Sequence, residues 1–167
     1  MIDAFAVDSF GGFILPKLGR HTAIIAAMPT LRLDHYNVWT RKLRDTIDFY
    51  VDHLGLRVGE RPQFAAPGAW LYDVSDKPVV HLIDVEHATP EQLATAGSRD
   101  VATLGGSGSI DHIAFEATEF DVILHRFCKA GLDYKEVQFP SLNLIQIFID
   151  DPNGVTIELL FRGMFNS

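Results

Sequence analysis

The sequence predicts an α+β domain built from two tandem βαβββ modules, and three observations predict it. Leu33-Asp34-His35-Tyr36-Asn37-Val38 is echoed by Ile110-Asp111-His112-Ile113-Ala114-Phe115, an offset of 77 residues. A helical stretch follows each copy and closes on Gly-Leu, at Gly55-Leu56 and again at Gly131-Leu132. Each copy then ends in an apolar strand with one polar residue inside it, Val79-Val80-His81-Leu82 and Thr156-Ile157-Glu158-Leu159, offset by 77 once more. His35 and His81 stand 46 positions apart, as do His112 and Glu158. A spacing that long, repeated with matching structural signals, marks an internal duplication.

In the first module, residues 33–38 alternate as a strand does. Residues 41–54 place Leu43, Ile47, Tyr50, Val51 and Leu54 at helical spacing, with Gly55 as the residue that ends the helix. Short β-type runs follow at 56–63, 68–74 and 78–85, separated by Pro67-Gly68 and Ser75-Asp76-Lys77-Pro78. In the second module, Thr118 occupies the expected N-cap, Phe120, Ile123, Leu124 and Phe127 form the buried stripe, and Gly131 closes the helix. Strands are expected at 132–138, 143–149 and 154–161, the last pair joined by Asp150-Asp151-Pro152-Asn153-Gly154. The organisation read from the chain is an N-terminal extension over 1–30, module 1 over 31–86, a linker over 87–109 and module 2 over 110–163. The linker is expected to hold a helical turn near Pro90-Glu91-Gln92-Leu93 and ends in the flexible Gly105-Gly106-Ser107-Gly108-Ser109.

Composition narrows the function. The 167 residues are 47% hydrophobic and 22% charged, the balance of a folded globular chain. A net charge of −8 gives no electrostatic route to phosphate backbones or anionic lipid. No run approaches the roughly 20 apolar residues of a spanning helix. Asp3 and Asp8 stand where a secretory signal needs positive charge, and a single cysteine, Cys128, suits a reducing cytoplasm. Seven histidines against one cysteine mean that any borderline metal must be held by imidazole and carboxylate.

Four polar residues at repeat-matched places are the candidates: His35, His81, His112 and Glu158. A carboxylate among Ile157, Leu159 and Leu160 needs a cation or a proton to offset its desolvation. A lone strand histidine is more often a hydrogen-bonded core residue, but four polar residues in equivalent places point to a shared function. With a pseudo-two-fold between the modules they converge on one cavity as an N3O set, suited to Zn²⁺, Fe²⁺, Mn²⁺, Co²⁺ or Ni²⁺. His21, His53, His87 and His125 are expected at the surface. Trp70, Tyr72, Phe139 and Phe148 are candidate pocket aromatics.

The paired βαβββ modules, the Leu-Asp-His and Ile-Asp-His openings, Phe49-Tyr50-(x)3-Leu54-Gly55-Leu56 and Asp151-Pro152-Asn153-Gly154-(x)3-Glu158-Leu159 resemble the vicinal oxygen chelate superfamily. That group includes glyoxalase I, extradiol ring-cleavage dioxygenases, methylmalonyl-CoA epimerase and the fosfomycin and bleomycin resistance proteins. The resemblance covers residues 33–161. It implies a cupped, barrel-like mixed sheet around a divalent metal, with His35, His112 and Glu158 at the shared ligand places. It also implies a homodimer acting on a small oxygen-chelating substrate. His81 separates the branches. As a fourth ligand it fits glyoxalase-type isomerase or lyase chemistry, in which the usual carboxylate base is missing or must be Glu158 or Glu116; as an acid–base residue off the metal it fits extradiol ring cleavage, slightly favoured by the presence of His. Phe148 stands where ring-cleaving relatives usually carry Tyr, and those relatives typically have four modules. A third reading is a non-catalytic binder of small molecules such as antibiotics.

Overall fold

The computed structural model describes residues 32–97 and 99–165, so the predicted extension over 1–30, with His21, lies outside the described residues. The chain divides after Leu33, and every element below belongs to the part that follows. Module 1 runs β1 (Tyr36–Thr40), α1 (Leu43–Asp48), β2 (Arg57–Val58), β3 (Gly68–Tyr72) and β4 (Pro78–Asp84). Module 2 runs β5 (Ile113–Glu116), α3 (Phe120–Ala130), β6 (Lys135–Phe139), β7 (Leu144–Asp150) and β8 (Thr156–Arg162), with α2 (Pro90–Ala96) in the linker between them. No helix among the described residues is long and apolar enough to cross a membrane.

Each module makes its own four-stranded mixed sheet, in the orders β1-β4-β3-β2 and β5-β8-β7-β6. The first and last strands of each module pair in parallel, Asn37 opposite His81 and Ala114 opposite Glu158. The remaining pairs are antiparallel. The two sheets are not closed into a barrel.

Strand alternation sorts the side chains cleanly. Val38, Ala69, Leu71, Val80 and Leu82 from sheet 1, and Ile145, Ile147, Ile149, Ile157, Leu159 and Phe161 from sheet 2, enter one core with Phe49, Tyr50, Ile123 and Phe127 from the helices. The intervening residues, Asn37, Trp70 and His81 on one sheet and Ala114, Gln146, Phe148 and Glu158 on the other, occupy the opposite faces.

Several elements depart from the sequence expectation. His35 and His112 do not lie inside strands but immediately before them, because β1 and β5 begin at Tyr36 and Ile113. In module 1, the register would set His35 opposite Val79, next to Pro78, which has no N–H for a ladder. The expected strand over 56–63 shrinks to Arg57–Val58, and Gly59 to Pro67 form a loop containing Pro62 and Pro67. α1 opens into a wider π turn over Phe49–His53, which turns both Phe49 and Tyr50 inward where a 3.6-residue period selects Tyr50 alone. α3 starts after Glu119, held at φ 55 with no side-chain cap, rather than after Thr118. Its other end agrees, with Gly131 at φ 65. The linker turn is a full helix, α2, opened by a Thr89/Gln92 capping box.

A buried polar latch joins the modules. Tyr50 is fully buried, and its hydroxyl donates to Asp151 Oδ2 at 3.1 Å while accepting from Tyr36 at 3.2 Å. Asp151 Oδ1 accepts from the backbone of Asn153 and Val155, and Asn153 Nδ2 donates to Thr46 Oγ1. Burial drives the Tyr36 and Tyr50 phenol pKa values far above their ordinary value, so both stay neutral donors.

Gly68 shows how tightly β3 meets β4. A Cβ built there falls 1.9 Å from the Leu82 carbonyl oxygen. Gly68→Ala is therefore expected to lower stability by about 1–3 kcal/mol through forced strand displacement, read as a lower urea midpoint. An unchanged midpoint would contradict that close approach.

Candidate functional site

Among the predicted ligands the structure forms two pairs, one on each sheet. In sheet 1 the His35 and His81 rings stack at 3.7 Å, and Trp70, directly across the ladder from His81, stacks on its other side at 4.1 Å and 5°. In sheet 2 His112 Nε2 lies 2.7 Å from Glu158 Oε2, and Phe148, across the ladder from Glu158, meets the His112 ring edge-on at 5.6 Å. The duplication thus extends to an aromatic ring opposite each last-strand candidate. The two pairs do not converge within one chain, and among the described residues no three His, Cys, Asp or Glu side chains are grouped to hold an ion. The sequence expectation brought all four to one cavity; in the structure they stand as two pairs. The helices and the core-facing residues lie on one side of each sheet, which leaves the two pairs on the other faces.

The local chemistry of each pair fits a divalent metal. The residue before each histidine orients it: His35 Nδ1 lies 2.8 Å from Asp34 Oδ2, and His112 Nδ1 lies 2.7 Å from Asp111 Oδ2. An ionised carboxylate can only accept, so the proton sits on Nδ1 and leaves Nε2 for a ligand. His112 Nε2 and Glu158 Oε2 face each other at 2.7 Å, and a cation placed between them would take an imidazole nitrogen and a carboxylate oxygen as donors. Glu158 is 4% exposed, and its other oxygen accepts from Gln146 Nε2. His81 is 9% exposed, and its Nε2 is buried without a hydrogen-bond partner. Burial first, and then His35 beside it, lowers the His81 pKa to about 4, which keeps its ring neutral.

The other candidates divide. Trp70 and Phe148 belong to the two pairs. Tyr72 does not join them: its hydroxyl donates to the Glu60 carbonyl at 2.7 Å and its ring lies under Arg57. Phe139 is half-exposed at the end of β6. Glu116, the alternative base, is exposed and paired with Arg162 at 3.2 Å. His53 packs edge-on against Phe49 and Phe127 rather than lying free at the surface. His87 and His125 are exposed as expected, His87 bonded to the buried Asp84. A cleft of about 670 Å³, lined by Leu54, Leu56, Asp73, Thr118 and Arg126 among others, contains none of the four candidate ligands. Two residues near the pairs escaped the sequence reading, Gln146 and Arg61. The polar break at Gln146 in Leu144-Ile145-Gln146-Ile147 was the available signal for the first; the second sits in a loop without periodicity.

No curated protein matches the chain. Solved structures do match it in fold. A lactoylglutathione lyase from Agrobacterium tumefaciens has 17% identity and a TM-score of 0.56, over 80% of this chain and 95% of that one. A fosfomycin resistance protein from Listeria monocytogenes has 16% identity and a TM-score of 0.57, over 79% and 93%. An antibiotic-binding protein from a Streptomyces species has 17% identity and a TM-score of 0.56, over 81% and 98%. The model of one protein family matches residues 32–159, which span both modules and all four candidate ligands, and on that match the chain belongs to the Glyoxalase/Bleomycin resistance protein/Dioxygenase superfamily.

Proposed function

We propose that this chain is one subunit of a divalent-metal-dependent enzyme whose substrate is a small molecule that chelates the metal through neighbouring oxygens. In this reading two copies pair so that each site takes His35 and His81 from one and His112 and Glu158 from the other. The observation that carries it is the division of the ligand set into two half-sets, each on a sheet face turned away from the core. Neither half alone supplies the three or four donors that a catalytic divalent site uses. An isologous two-fold pairing would supply them twice over.

The buried, unpartnered Nε2 of His81 favours its service as a ligand, and with it isomerase or lyase chemistry of the glyoxalase type. A bound cation supplies Lewis acidity to the substrate oxygens. The chain's own residues do the rest. Asp34 and Asp111 hold two imidazoles in the Nε2-open tautomer, Trp70 backs His81, and Gln146 fixes the Glu158 carboxylate, which is placed to accept a proton. Phe148 excludes water beside it. Ring cleavage is the second reading, supported by the flat aromatic wall of Trp70 and Phe148, with His81 then moving protons off the metal. The cytoplasm is the proposed setting, in line with the single Cys128.

Metal analysis of untagged protein is expected to find about one ion per chain, as one four-donor set per chain requires. Glu158→Gln should lose most of it. Oxygen uptake with a panel of catechols separates the two reactions, since ring cleavage alone consumes O₂. Absence of metal after reconstitution, with tight binding of aromatic ligands, would replace both with a sequestering protein.

A further inference from the structure

Several arginines of this acidic chain have no carboxylate within 4 Å among the described residues, and Arg61 is the one of them whose Nε is also buried without a hydrogen-bond partner. Arg41, Arg44, Arg57 and Arg162 each have an acidic partner. Arg61, in the loop between β2 and β3, has none within 4 Å among the described residues. Of its five N–H groups, one donates to a protein acceptor, the Ala66 carbonyl at 2.7 Å. Its Nε is buried with no partner, so part of the cation's hydration is lost and nothing among the described residues replaces it. The guanidinium carbon lies 5.1 Å from the Phe64 ring, Phe64 lies 5.8 Å from Trp70, and Trp70 stacks on His81. The cation therefore stands at the end of a run of rings that leads to the His35–His81 pair.

We propose that Arg61 holds a carboxylate of the substrate while neighbouring oxygens of the same molecule face the metal. This rests on the metal-enzyme reading above. The anion is a carboxylate because a single guanidinium balances a single charge and presents a planar fork to a planar group. Phe64 and Trp70 line the path between the two ends of the substrate. The unpaired cation makes an acidic substrate the preferred one, and an amide of the same shape a poor one.

Two titrations test this, both followed by tryptophan fluorescence. In metal-loaded protein, 3,4-dihydroxybenzoate is expected to bind at least about tenfold more tightly than 3,4-dihydroxybenzamide, the worth of one charge-assisted hydrogen bond. Arg61→Gln should erase that preference while leaving benzamide affinity and metal content unchanged. Arg61→Lys, which keeps the charge without the fork, should retain part of it. Equal affinities in the unaltered protein, or a preference that survives Arg61→Gln, would overturn the proposal. In metal-free protein, benzoate should quench fluorescence in an Arg61-dependent way, and this arm decides the role of Arg61 even if metal loading fails and the underlying reading falls with it. No Arg61-dependent response in either arm overturns the proposal.

Discussion

Mixing two metal-deficient variants is expected to restore metal binding. A chain carrying His35→Ala and His81→Ala, and a second carrying His112→Ala and Glu158→Ala, should each lose affinity by more than about 100-fold, since even partners one layer outside the ligands are worth 10–100-fold. Refolded together at equal concentration, half the dimers are mixed. Each mixed dimer joins the intact sheet 1 of one chain to the intact sheet 2 of the other, so about a quarter of the original sites return under two-fold pairing. Equilibrium dialysis reads the recovery. A site assembled within one chain gives none, and that result would remove the shared-site proposal. The expectation follows from the pairing of His35 with His81 and His112 with Glu158, since among the described residues no three His, Cys, Asp or Glu side chains are grouped to hold an ion.

Asp151→Ala is expected to be the most damaging single change outside the candidate ligands. The carboxylate is 4% exposed and accepts from the Tyr50 hydroxyl, from two backbone N–H groups and from Asn153 Nδ2. Removing it leaves several buried donors unpaired, at about 1–3 kcal/mol each before relaxation. A total loss of at least about 3 kcal/mol is expected from urea unfolding, a large share of the 5–15 kcal/mol typical of a domain. Tyr50→Phe should cost about 1 kcal/mol alone and much less in the Asp151→Ala background, because the two groups share one network. Full additivity would show that Asp151 acts only through its own turn. This latch also gives the Asp151-Pro152-Asn153-Gly154 segment a structural role, since it ties β7–β8 to α1 and sets Glu158 on the strand that follows.

The sequence made the modules legible because duplication repeats signals at a fixed offset. The 77-residue spacing matched His81 to Glu158, and the structure sets them at equivalent ladder positions, opposite Asn37 and Ala114. It did not reveal that the half-sets stay apart. Periodicity states which face of a strand a side chain takes, while the partner of that face depends on where the helices pack, and α1 and α3 pack into the core between the opposite faces. Other misses have local causes. The π turn at Phe49–His53 breaks the 3.6-residue period, and Glu119 takes a left-handed backbone that composition does not announce. Arg61 is found only by asking what a guanidinium touches.

The two open faces carry a further consequence. With two donors on each, metal affinity and subunit association become one linked equilibrium in the proposed assembly: each bound ion favours the pair, and dilution below the association threshold releases ions. Two chains of net charge −8 also repel, and cations held between them offset part of that repulsion. The supply of metal would then be registered as quaternary state, with the apparent affinity rising with protein concentration.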